Sequence, residues 1–215
     1  MTTMITAHSG CDDTPDNSLQ YLSHAITCGA DAFEVDVRRS SDGMLYLSHD
    51  ADSSPCVPLA DAFAMMQGLR IRINCDLKEE NLEHPVLALA GSCGVLDRVI
   101  LTGTVSAEAL LDDSVRSRTC WNIPIPHRAE REQPGVVSAW VQSTVALCRA
   151  HGVRVINVNC DICSDSVLDA LGKEGIAVSA WTVNDPAVAE RLLRHSVYNI
   201  TSRTPGVLLR LREQL

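Results

Sequence analysis

At 215 residues the chain has the length of one domain of ordinary or slightly large size, and 46% hydrophobic residues suffice for a substantial core. A formal net charge of −9 argues against a nucleic-acid binder, which would carry a basic patch, and against an anionic membrane surface as the main partner. An anionic small substrate stays compatible, because a bound metal reverses the local field.

Short β-branched runs alternate with helical patterns along the chain. Strands are predicted at 4–8 (MITAH), 32–38 (AFEVDVR), 69–77 (LRIRINCDL), 98–102 (RVILT), 119–125 (TCWNIPI), 153–159 (VRVINVN), 177–183 (AVSAWTV) and 198–201 (YNIT). Helices are predicted near 18–28, 59–67, 85–90, 107–111, 136–150, 165–173, 186–194 and 205–212. Asp185 before Pro186, and Thr204 before Pro205, read as helix caps. Glycine closes several helices, as in CGA, HGV and EGI. Strands separated by helices pair in parallel, and eight such units imply a closed TIM-type (β/α)₈ barrel in a single α/β domain over 1–215. An open doubly wound sheet is the main competitor, but no glycine-rich dinucleotide loop follows the first strand.

The nine cysteines are odd in number and irregular in spacing, and most fall in apolar patterns. They read as reduced, buried hydrophobes of a cytoplasmic protein. The single CxxC at Cys160–Cys163 has no second pair and reads as structural. No signal peptide or membrane-spanning stretch is recognisable, so stable membrane insertion is not expected.

Chemistry in such a barrel gathers at the C-terminal ends of the strands. In FEVDV, Phe33, Val35 and Val37 face one way and Glu34 and Asp36 the other. Two neighbouring carboxylates repel, and burying them unpaired is costly, so a divalent metal between them is the economical answer. The third strand brings Asp76 and then Lys78 to the same end, the first ends at His8, and LYLSHD ends at His49 and Asp50. Trp181 closes the seventh strand, with Asn184 beyond it. Three oxygen ligands suit a hard cation such as magnesium or calcium. Two histidines outside that shell suit a general acid and a general base, and Lys78 suits an anionic group. Together they point to phosphoester chemistry. His24, His84, His151 and His195 fall away from the strand ends and receive no role. His127 and Arg128 are within reach of the active face but read as ordinary loop residues, and Arg38 and Arg39 as surface charges.

The run AHSGCDDTPDNSLQYLSHAITCGADAFEVDVRRSSDGMLYLSHD, followed by INCDLK, AWTVND and YNITSRTPGVL, resembles the glycerophosphodiester phosphodiesterases. The resemblance spans almost the whole chain. It implies that His8 and His49 are the acid–base pair and that Glu34, Asp36 and Asp76 hold a divalent ion, magnesium or calcium with manganese as a further option. It also implies that Lys78, Trp181, Ser9 and Asn17 contact substrate. The implied reaction is hydrolysis of a glycerol phosphodiester to glycerol 3-phosphate and an alcohol. Three departures stand out. Ser9 replaces the family's arginine after the first histidine, Asp16 and Asp76 replace glutamates, and only ADSSPCV stands where the family carries an insertion of several dozen residues. These departures motivate a competing expectation, a non-catalytic barrel that binds a phosphorylated metabolite. A lysophospholipid-type substrate is a further variant, set against the polar loops SSDG, DADSSP and HRAEREQP. Oligomeric state is left open.

Overall fold

The structure is a computed structural model that describes residues 2–51 and 56–215; residues 52–55, in the connection after His49–Asp50, lie outside the described residues. Eight strands pair in parallel around a barrel. They are β1 (Met4–Ala7), β2 (Ala32–Arg39), β5 (Arg72–Leu77), β6 (Val99–Gly103), β7 (Trp121–Asn122), β8 (Val155–Asn159), β9 (Ala177–Trp181) and β10 (Asn199–Ser202). Neighbours follow chain order, and β10 pairs back onto β1 from Met4↔Asn199 to Ala7↔Ser202. A parallel bridge between Leu101 and Thr119 closes the ring between β6 and β7. The expected barrel is therefore present. Two strands were not expected: β3 (Leu45–Leu47) and β4 (Val57–Pro58). They extend β2 as an antiparallel ribbon, with Val37↔Leu47 and Tyr46↔Pro58 in register.

Helices α1 (Leu19–Thr27), α2 (Leu59–Met65), α3 (Glu83–Ser92), α6 (Val136–His151), α7 (Asp165–Lys173), α8 (Pro186–Arg194) and α9 (Pro205–Glu213) surround the barrel. Ser18 caps α1 by accepting the Tyr21 N–H at 3.0 Å, and Asp185 caps α8 by accepting that of Ala187 at 2.8 Å. The expected cap at Thr204 is not made. Its own N–H donates to the Ser202 hydroxyl at 3.0 Å, and its hydroxyl lies beside that same oxygen. The helix expected at 107–111 is a 3₁₀ turn, Ala109–Leu111, followed by the short α4 (Asp113–Arg116) capped by Asp112. An unexpected short α5 (Arg128–Arg131) follows β7. The strand expected at 119–125 shrinks to two residues, because Pro124 and Pro126 have no N–H to donate to a ladder.

The barrel interior is unusually polar. Barrels of this kind are usually filled by Val, Ile and Leu. Here Thr6, Asn199, Ser179, Asn157 and Asn122 form a chain of hydrogen bonds across five strands, each link 2.7–3.0 Å long. On the far wall Thr102 donates within reach of Asn74 at 2.9 Å and Asp76 at 3.1 Å. Each partner has its hydrogen bond, so burial costs little. The apolar packing lies outside this girdle, between strands and helices, with Ile5, Phe33, Val35, Ile73, Cys75 and Leu101 fully buried.

Tyr21 ties α1 to the first two strands. Its buried hydroxyl lies 2.7 Å from the Ala7 carbonyl and 2.8 Å from that of Glu34, and it accepts the Glu34 N–H at 3.1 Å. Burial pushes this phenol well above its ordinary pKa. Tyr21→Phe leaves the buried Glu34 amide without a partner. Urea unfolding should show a loss of about 1–3 kcal/mol with an unchanged m-value.

Candidate functional site

The cavity at the C-terminal rim has a volume of about 560 Å³ and is lined by residues of most barrel strands, among them His8, Glu34, Asp36, Asp76, Lys78 and Trp181. Carboxylate oxygens of Glu34, Asp36 and Asp76 lie within 4.8 Å of one another. The register makes this so: β2 and β5 pair Glu34 with Asn74 and Asp36 with Asp76, so the acidic faces align. The end of β6 closes around Asp76. Gly103 there has a positive φ, and an added Cβ would lie 2.6 Å from Asp76 Oδ1 and 2.4 Å from the Leu77 carbonyl, so only glycine fits.

This acidic set meets the requirements of a hard divalent cation: three oxygen donors, two of them buried, with open cavity beside them. Lys78 Nζ lies 2.7 Å from Asp36 Oδ1 and 2.5 Å from Asp76 Oδ2. Burial opposes its charge, but Asp76 and Asp36 outweigh that and hold the ammonium above its ordinary pKa. Glu34 has no such direct partner. Burial, then Asp36 and Asp76, pushes it well above the carboxylate range, while the Ser9 N–H at 3.0 Å and Lys78 work against that shift.

Supporting contacts hold the carboxylates still. Asn17 donates to Asp36 Oδ2 at 2.7 Å and accepts the Asp36 N–H at 3.0 Å, so its amide is committed to positioning Asp36 and does not line the cavity. Ser9 lines the cavity but is 1% exposed, and its hydroxyl accepts the Asn17 N–H at 2.8 Å.

The two histidines stand on different footings. His8 Nδ1 is 2.9 Å from the Ser9 carbonyl, which can only accept, so Nδ1 carries the proton and Nε2 keeps a free lone pair. Burial, with help from Arg203, lowers its pKa and keeps the ring neutral. His49 sits past the β3 ribbon on an exposed turn, with Nδ1 2.9 Å from Asp50 Oδ1. Arg38 holds that turn in place. Its Nε and Nη2 donate to the His49 carbonyl at 3.0 and 2.8 Å, and its Nη1 pairs with Glu79 at 3.0 Å. The surface-charge reading of Arg38 is thus corrected: its side chain is only 17% exposed.

Arg203 was also missed. It follows β10, lines the cavity, and pairs through Nη1 with Asp16 Oδ1 at 3.1 Å. Asn184 fixes its backbone by accepting its N–H at 2.9 Å. Both side chains pack over Gly10, where a Cβ would meet Asp16 Oδ1 at 2.0 Å. No pattern in the sequence links Arg203 to His8; only barrel closure brings them together. His127 and Arg128 are not among the lining residues. Among the described residues no cysteine forms a disulfide, and burial pushes Cys163 up to about 12.

Fold and site define a TIM-type α/β barrel with a rim suited to a divalent cation and an anion. The glycerophosphoryl diester phosphodiesterase family model matches residues 8–86. A glycerophosphodiester phosphodiesterase of Arabidopsis thaliana is 25% identical over 245 residues, covering 99% of this chain and 74% of its own length. Among solved structures, a glycerophosphodiester phosphodiesterase from Agrobacterium tumefaciens superposes with a TM-score of 0.74 at 18% identity, covering 98% of this chain and 99% of its own. An Oleispira antarctica phosphodiesterase, solved with sn-glycerol-3-phosphate, has a TM-score of 0.74 at 18% identity and covers 99% and 97%. The likeness to that family thus rests on its model over residues 8–86 and on a shared barrel fold.

The charge balance of the acidic cluster has a measurable consequence. A carboxyl whose folded pKa is raised stabilises the fold below its unfolded pKa, and that contribution is lost as pH rises through the folded value. Glu34 is such a group. The metal-free protein should therefore melt at a lower temperature as pH rises above the usual carboxylate range, and magnesium or calcium should restore it. Glu34→Gln should flatten both dependences in differential scanning calorimetry.

Proposed function

We propose that the chain is a metal-dependent phosphodiesterase that hydrolyses glycerophosphodiesters to glycerol 3-phosphate and an alcohol. The observation that carries this reading is the meeting, in one cavity, of three clustered carboxylates, two cationic side chains and a neutral histidine with a free Nε2. Glu34, Asp36 and Asp76 would hold a magnesium, calcium or manganese ion, which supplies charge neutralisation at the phosphate and acidifies a bound hydroxyl. His8 Nε2 takes the proton from the attacking hydroxyl of the substrate's glycerol. As that oxygen bonds to phosphorus, the bond to the alcohol oxygen breaks. His49, paired with Asp50, donates a proton to the departing alkoxide. Water then opens the cyclic phosphate, with the two histidines exchanging roles.

Arg203 takes the place of the missing arginine. Ser9 contributes no charge, whereas the Arg203 guanidinium lines the cavity from the opposite loop and, with Lys78, faces the phosphate. Trp181, 36% exposed at the end of β9, forms a wall for the leaving alcohol. The polar floor favours a small hydroxylated ligand over an acyl chain. Among the described residues no helix is long and apolar enough to cross a membrane. The reading places the enzyme in the cytoplasm, acting on a dissolved small molecule.

Release of glycerol 3-phosphate from glycerophosphocholine and glycerophosphoethanolamine, with EDTA or each metal, tests the reading. His8→Ala and His49→Ala should each lower kcat by about 10²–10⁴-fold. Absence of turnover with every metal on a panel of phosphodiesters, from folded protein, overturns it in favour of a binding protein. Arg203→Ala should raise KM by roughly ten- to a hundredfold, the worth of a charge-assisted hydrogen bond. Arg38→Ala should instead lower kcat on the order of tenfold by loosening the His49 turn.

A further inference from the structure

A second cluster of metal-ligating side chains lies outside this cavity, on the loop that follows His8. Cys11, Asp12 and His24 each offer a ligand atom, and those atoms lie within 4.8 Å of one another. Cys11 and Asp12 belong to a 3₁₀ turn, Cys11–Asp13, and His24 projects from α1. The Cys28 thiol, one turn beyond His24, donates instead to the Ala25 carbonyl at 3.3 Å and is not part of this set. The spacing of the three is Cys-Asp-x₁₁-His.

The ordinary account of this cluster is the contact between His24 Nε2 and Asp12 Oδ2 at 2.9 Å, both about one-third exposed. That account leaves out the Cys11 thiol, which is fully buried and whose sulfur lies within 4.8 Å of both ligand atoms. One sulfur, an imidazole nitrogen and one carboxylate oxygen form a three-ligand donor set for an ion of the zinc class, with water in the fourth position. The partly exposed Asp12 and His24 give an ion access from solvent.

We propose that Cys11, Asp12 and His24 bind a zinc-class divalent ion. This site is distinct in chemistry from the all-oxygen cluster of Glu34, Asp36 and Asp76 and does not depend on the phosphodiesterase reading. Binding releases the thiol proton and ties the loop carrying His8, Ser9 and Gly10 to α1.

The test is cobalt(II) titration of the reduced, full-length protein. The wild type should bind one equivalent with a thiolate-to-cobalt charge-transfer band and the strong visible absorption of a tetrahedral ion, and zinc should displace it. Cys11→Ser and His24→Ala should each lose the band, while Glu34→Gln keeps it. Cys160→Ser/Cys163→Ser should also keep it. If Cys11→Ser fails to fold by circular dichroism, His24→Ala, at a partly exposed position, carries the test. No charge-transfer band in the wild type, or a band that survives both variants or vanishes with Cys160 and Cys163, overturns the proposal.

Discussion

Mutual repulsion among three carboxylates at the mouth of the barrel is the constraint around which the rest of the site is arranged. Glu34 and Asp36 are each only 6% exposed, and Asp76 lies directly across the register from Asp36. Like charges this close in a poorly hydrated site cannot all ionise without a compensating cation. The fold supplies part of that compensation through Lys78 and dipoles: the Ser9 N–H on Glu34 and the Asn17 amide on Asp36. The remainder falls on Glu34, whose raised pKa marks the charge that the protein alone does not balance. A divalent ion held by the three carboxylates, as proposed, would balance it.

The same contacts explain why the loop after β1 is so closely specified. Gly10 must be glycine because Asp16 and Arg203 pack over it, and Asn17 holds a left-handed backbone, with φ at 52°, while its amide pairs with Asp36. Ser9 is buried between them, donating from its backbone to Glu34 and accepting at its hydroxyl from Asn17. A long arginine at position 9 would have to leave this bundle to reach a ligand. Serine lets the bundle close, and Arg203 lines the cavity from the loop after β10.

Much of this was legible in the sequence because period-two alternation is a local signal. FEVDV and RINCDL placed Glu34, Asp36 and Asp76 on the cavity side of their strands, and the order of strands and helices gave the barrel. What was not legible depends on closure. Arg203 reaches Asp16 across 187 residues of chain. Arg38 continues the strand beyond the acidic pair, and its pattern does not show that it turns to the His49 carbonyl. The polar girdle escaped for a different reason. Residues such as Asn157 and Ser179 alternate with apolar neighbours as solvent-facing residues would, and only the closed ring makes their face an interior one. Thr204 looked like a cap from its place before proline, but Ser202 had already taken the amide of that turn.

The girdle also bears on what the cavity can accept. An apolar barrel floor would offer a ligand contact area without direction, whereas Asn74, Thr102, Asn122 and Asn157 face the cavity with amides and a hydroxyl already set in position by their neighbours. Asn74 is only 6% exposed, and its side-chain oxygen accepts from Thr102 at 2.9 Å, which fixes how its amide faces the cavity. A donor held rigid at the base of a cavity rewards a ligand oxygen and penalises a methylene, because filling the space with hydrocarbon would strand it. The polar floor is therefore set by the strands themselves, below the level of the loops.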